Sequence, residues 1–121
     1  MAMLNLYFKL RDEYRESYGE KTLLLMEVGS FYEIYTKVDS ITKEITEPQI
    51  LDLRLFTGFV PGKKNDETMM LGFSSRISML LEKYLENMVN NGYTVVVYDQ
   101  DKATSNTTRS LKGTSMISTR N

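Results

Sequence analysis

Two extended runs separated by only two residues constrain this chain more than any other feature. "TLLLMEV" (22–28) and "FYEIY" (31–35) are joined by Gly29 and Ser30. Runs of strand length with a small-residue break between them read as a hairpin. The first run is apolar almost throughout, so its strand suits the centre of a sheet buried on both faces. The second alternates. Residues two apart share a face in a strand, which puts Phe31, Glu33 and Tyr35 on one side and Tyr32 and Ile34 on the other. A phenyl ring and a carboxylate side by side at the mouth of a hairpin need an explanation.

Around this pair the chain alternates helix and strand. Met3, Leu6, Tyr7, Leu10 and Tyr14 recur at helical spacing, with charged residues between them, and Gly19 is a stop signal. This predicts a helix over 3–17. Residues 36–49 read as a poor helix or a loop, because β-branched Ile41, Thr42, Ile45 and Thr46 weaken a helix and Pro48 breaks it. "ILDLRLF" alternates Leu51, Leu53 and Leu55 with Asp52 and Arg54, which predicts a strand with one polar face. A loop, "TGFVPGKKNDET", leads to the short strand "MMLGF". Ile77, Leu80, Leu81, Tyr84, Leu85, Met88 and Val89 then predict a helix, with Ser74 or Ser75 as its cap and Gly92 as its left-handed end. "YTVVVYD" (93–99) predicts a buried strand. "DKATSNTT" reads as a polar loop, and "RSLKGTSMIS" as a final edge strand. The expected fold is α/β, a mixed sheet of about five or six strands flanked by helices.

With 121 residues, one domain is expected over 1–121. The abrupt end at "STRN" suggests a piece cut from a longer protein. Cysteine and histidine are both missing, which rules out thiolate chemistry, disulfides and every Ser-His or Cys-His catalytic pair. "PGKKND" lacks the glycine spacing of a phosphate-binding loop. Glu27, Asp52 and Asp99 at strand ends could gather around magnesium in a nuclease, yet no lysine has an acid two positions before it. The first apolar stretch is too short for a membrane span or a signal peptide, so an intracellular protein is expected, in cytoplasm, nucleus or viral factory. Net charge is −1, whereas a domain that holds nucleic acid unaided normally carries a basic excess. The last twenty residues are locally basic (Lys102, Arg109, Lys112, Arg120) and contain no acid.

Several stretches, in order, resemble the N-terminal mismatch-recognition domain of the MutS family of DNA mismatch repair proteins. "LLLMEVGSFYEIY" is similar to its opening strands, with the family's Phe-x-Glu on Phe31, Tyr32 and Glu33. "ILDLRLF" resembles its third strand. "MMLGFSSRISMLLEKYLENMVNNGYTVVVYDQ" resembles its Met-x-Gly strand, helix, Asn-Gly turn and following strand. The wording looks closest to the branch found in large DNA viruses. The segment "TKVDSITKEITEPQ" departs from the family's usual helix. "LGFSSRI" replaces a stretch in which proline and histidine follow the glycine.

The resemblance implies a DNA mismatch recognition module. In the family the phenylalanine enters the minor groove and stacks on a mispaired base, and the glutamate hydrogen-bonds that base. An apolar wedge unstacks a step at a cost of about a few kcal/mol, less where pairing is already poor. A carboxylate near phosphates penalises normal DNA unless it gains a specific bond. Phe31 and Glu33 are thus the expected mismatch-binding residues, and Ser30, Lys63, Lys64 and Met70 further possible DNA contacts. No catalytic residue, metal or cofactor is expected, and ATP binding belongs to the parent protein. Expected partners are mismatched double-stranded DNA, the remaining MutS domains and a second MutS subunit, with no membrane. The alternative is a protein-docking module of the same fold without DNA contact, in which Phe31 is buried under a partner.

Overall fold

A computed structural model describes residues 2–100 and the backbone of 115–118. Its elements are α1 (Ala2–Tyr18), β1 (Thr22–Val28), β2 (Phe31–Lys37), α2 (Pro48–Thr57), β3 (Gly62–Lys63), β4 (Thr68–Ser74), α3 (Leu80–Asn90), β5 (Thr94–Tyr98) and β6 (Ser115–Ser118). The six strands form one sheet in the order β3-β4-β2-β1-β5-β6. β1 runs parallel to β5 and antiparallel to β2, and the other pairings are antiparallel. The mixed α/β sheet expected from the sequence is therefore the observed one.

β1 is central because it can bear burial on both faces. Leu24, Met26, Tyr35 and Val96 meet Leu4 and Tyr7 of α1 on one face. Leu23, Leu25, Tyr32, Ile34, Leu71, Phe73, Val95 and Val97 meet Ile50 and Leu53 of α2 and Met88 of α3 on the other. Three layers result, each helix covering sheet with its apolar stripe.

Two expectations need correction. "ILDLRLF" is not a strand but most of α2. Pro48 stands at its first turn, where a missing N–H costs nothing, and Gly58 ends it in the left-handed region at φ 76. Ile50, Leu53 and Phe56 reach the core at helical spacing, while Leu51 and Leu55 stay at the surface, so the Leu51/Leu53/Leu55 alternation has no structural meaning. Of the two readings of 36–49, poor helix or loop, the loop is the one observed: residues 38–47 hold no helix. Val38 and Ile45 form an isolated bridge, and the Asp39 carboxylate accepts from the N–H groups of Ile41 and Thr42 to close the turn.

Secondly, neither Ser74 nor Ser75 caps α3. Its cap position is Met79, left-handed at φ 72 and without a side-chain cap bond. The Ser74 hydroxyl instead accepts from Arg76 N–H at 3.2 Å, and Ser75 N–H donates to the Ser30 carbonyl at 2.8 Å. Gly92 is left-handed at φ 89, as the sequence led us to expect. β6 falls within the expected edge strand; the polar loop 101–108 and the basic residues Lys102, Arg109, Lys112 and Arg120 lie outside the described residues. Among the described residues no helix is long and apolar enough to cross a membrane.

Candidate functional site

The β1–β2 turn has Gly29 at φ 64 in its first position and only negative φ in its second, the pattern of a type II′ hairpin. Glycine suits this position because it takes up positive φ without the strain that a side chain brings. The turn is held from both sides. Gln100 Nε2 donates to the Gly29 carbonyl at 2.9 Å, and Ser75 N–H donates to the Ser30 carbonyl. Ser30 is thus engaged through its backbone. Phe31, opposite Val28 and Ser74, leaves this braced turn with its ring half exposed, at 50%. The rest of β2 up to Thr36 is buried.

Phe31 and Glu33 lie on the α1 face, and Tyr32 on the other. Glu33 does not project as Phe31 does. It is 7% exposed, and the Tyr35 hydroxyl donates to its Oε1. Gly72 stands opposite Glu33 in the ladder and gives no side chain to that face. Burial, and then the bond to Glu33, push the Tyr35 hydroxyl above its ordinary range. Met70 pairs with Tyr35 and Gly62 and is partly buried against the same cluster.

The two lysines of the β3 region separate. Lys64 sets its ammonium over the Tyr35 ring, 5.6 Å from the centroid, on the α1 face. Lys63 turns to the other face, pairs with Asp66 at 3.1 Å and lines a hollow of about 210 Å³ with Val38, Lys43 and Met69. Of the residues singled out in the sequence, Phe31, Glu33, Met70 and Lys64 share one face; Lys63 does not.

The strand-end acids do not gather. Glu27 accepts from Gln100 N–H at 2.9 Å, Asp99 accepts from the Tyr32 hydroxyl at 2.9 Å, and Asp52 accepts from the Tyr93 hydroxyl at 2.7 Å. Tyr93 and Asp99 stand at opposite ends of β5, about 20 Å apart at roughly 3.3 Å per residue. Among the described residues no three His, Cys, Asp or Glu side chains are placed to hold a metal ion.

Three rim residues escaped sequence reasoning. Arg76, Ile77 and Met79 are exposed in the link between β4 and α3, which the Ser75–Ser30 bond ties to the hairpin turn. Arg76 makes no ion pair among the described residues. Ile77 fits the helical spacing of Leu80, Leu81 and Tyr84, so periodicity places it on the apolar face of the helix, whereas Met79 lies off that spacing. The available signal was the departure at "LGFSSRI".

Comparison with known proteins agrees with this architecture. Residues 1–119 match the family described as MutS domain I. A DNA mismatch repair protein mutS homolog of Acanthamoeba polyphaga mimivirus is 30% identical over 102 residues, 78% of this chain. The matched region spans 8% of that relative's length. The chain belongs to the MutS domain I family.

Proposed function

We propose that this domain recognises mispaired or unpaired bases in duplex DNA, with Phe31 as the wedge and Glu33 as the base-reading group. The observation that carries the reading is the half-exposed Phe31 ring at the end of an otherwise buried strand, on a turn braced by Ser75 and Gln100. A wedge must be apolar, must extend beyond the surface and must resist being pushed back. Phe31 has the first two properties itself, and the braced turn supplies the third.

Discrimination then follows from deformability. A mismatched step unstacks at lower cost, so insertion of Phe31 from the minor groove is favoured there. Glu33 adds a hydrogen bond to the displaced base and repels the backbone of intact duplex. On this reading Ser30, Lys64 and Met70 are further DNA contacts, and Lys63, on the other face, is a contact to backbone phosphate. The domain acts as a probe, not an enzyme, and uses no cofactor of its own. The rest of a MutS-type protein and a second subunit supply affinity and ATP chemistry. The protein works where DNA is repaired inside the cell or viral factory.

The test is to titrate the chain with duplexes differing in one base pair and to compare Phe31→Ala with the parent. Base–aromatic stacking is worth roughly 1–3 kcal/mol, so the ratio of mismatched to matched affinity should fall about tenfold. Binding should also weaken as salt rises, because few cations meet phosphate. A ratio left unchanged in Phe31→Ala replaces this reading with the protein-docking one.

A further inference from the structure

We propose that Tyr35 is the positioning residue for Glu33: its hydroxyl occupies one carboxylate oxygen and turns the other toward the DNA. The proposal rests on the recognition reading above and adds a residue to it. Tyr35 is fully buried, and its hydroxyl donates to Glu33 Oε1. Its ring cannot swing away. Tyr7 packs edge-on against it at 4.9 Å, and the Tyr7 hydroxyl is itself fixed to the Leu24 carbonyl at 2.8 Å. Lys64 lies over the ring, and Met3 Sδ is 4.0 Å from the hydroxyl.

Glu33 Oε2 is the free end. Among the described residues no buried side-chain oxygen or nitrogen lacks a partner, and Glu33 has no protein partner besides Tyr35. Oε2 therefore lies in the small part of Glu33 that solvent reaches. A carboxylate this deeply placed is costly unless it is hydrogen-bonded. Tyr35 provides that bond and, because its ring is locked, also fixes where the carboxylate sits. A phenylalanine at position 35 would fill the same volume but deprive Glu33 of the bond that holds its carboxylate. Preorganisation of this kind spends the ordering cost before DNA arrives, so that Oε2 meets a base donor already aimed.

The experiment uses NMR titration of the isotope-labelled chain, which reads weak binding, at one fixed salt concentration with matched and mismatched duplexes. The variants are Tyr35→Phe, Glu33→Ala, the double variant and Phe31→Ala. Tyr35→Phe should lower the mismatched-to-matched affinity ratio by roughly tenfold, the scale of one charge-assisted hydrogen bond. The double variant should lose no more than Glu33→Ala alone, since both changes remove the same bond. An unchanged ratio in Tyr35→Phe overturns the proposal. So does a Tyr35→Phe effect that persists at full size on the Glu33→Ala background, because Tyr35 then acts elsewhere. A second readout needs no variant: the shielded Tyr35 hydroxyl proton should give a downfield resonance in the free chain, and its absence overturns the proposal. Phe31→Ala separates the two levels. If it leaves the ratio intact, recognition and positioning fall together; if it abolishes the ratio while Tyr35→Phe does nothing, only the role of Tyr35 falls.

Discussion

Replacing Gly72 with alanine should destabilise this domain about as much as truncating a core side chain does. Gly72 faces Glu33 across the β2–β4 ladder. A Cβ there would stand 2.1 Å from the Tyr32 carbonyl oxygen, 3.1 Å from the Tyr32 carbonyl carbon and 3.2 Å from Glu33 Cα. Carbon–oxygen contacts settle at about 3.3–3.6 Å, so the methyl group falls short by more than about 1 Å. Every neighbour it meets is backbone, and β2 is clamped between β1 and β4. Relief must come from prising β4 off β2. Overpacking costs typically about 1–3 kcal/mol, and a displaced ladder bond adds about 1, which gives about 2–4 kcal/mol. At about 4 °C per kcal/mol for a chain of this size, the melting temperature should drop by about 8–16 °C. Gly62→Ala is the internal control. Its Cβ would meet only the Met70 carbonyl oxygen, at 4.0 Å, so stability should stay within about 0.5 kcal/mol of the parent. Urea denaturation followed by circular dichroism measures both. A Gly72→Ala loss below 1 kcal/mol, or equal losses in the two variants, would falsify the close-approach argument.

Met79→Gly should have the opposite sign, because Met79 is held left-handed at φ 72 and glycine removes that strain; a gain of about 1 kcal/mol in urea is expected, and a loss would show that its side chain matters more. Glu47→Ala should destabilise by roughly 3 kcal/mol, since the carboxylate joins Arg11 at 3.0 Å, Arg15 at 2.6 Å and the Thr36 hydroxyl at 2.9 Å in a partly buried network. Melting temperatures that differ by less than 2 °C would mean that water replaces the network. Alkaline pH should also unfold the domain. Burial raises the hydroxyls of Tyr7, Tyr32, Tyr35 and Tyr93 above their ordinary value of 10.0, and the last three also donate to carboxylates. A raised folded-state value leaves stability whole below the unfolded value and removes it as pH climbs from 10 toward the folded value. The melting temperature should therefore fall above about pH 10 while these four tyrosines ionise only on unfolding; ionisation of any of the four in a still-folded chain at pH 10, followed residue by residue by NMR, would contradict this.

The amino-acid order by itself determined the hairpin, the central place of β1, the body of α3 and the buried β5. In each, the period of apolar residues matches the element, and Gly29, Gly92 and the two-residue turn mark the ends. The same period of two put Phe31 and Glu33 on one face. The identity of α2 was also written in the chain, in Pro48 and Gly58, but the alternating leucines of "ILDLRLF" masked it. What decided between strand and helix was the sheet face offered by Ile34, Leu71 and Val95, which Ile50 and Leu53 cover together only when they are one helical turn apart.

Tertiary structure alone decided how deep Glu33 lies and what holds it. Sequence spacing shows that Glu33 and Tyr35 share a face, but not that Tyr7 locks the Tyr35 ring and that α1 covers the pair. The separation of Lys63 from Lys64, the missing Cβ at Gly72 and the link from Ser75 to Ser30 are likewise set by strand register between segments far apart in the chain. Local periodicity reports which residues can face the same way. Contacts across long sequence separations determine what stands in front of them, and here that is the difference between a solvated carboxylate and one aimed from beneath.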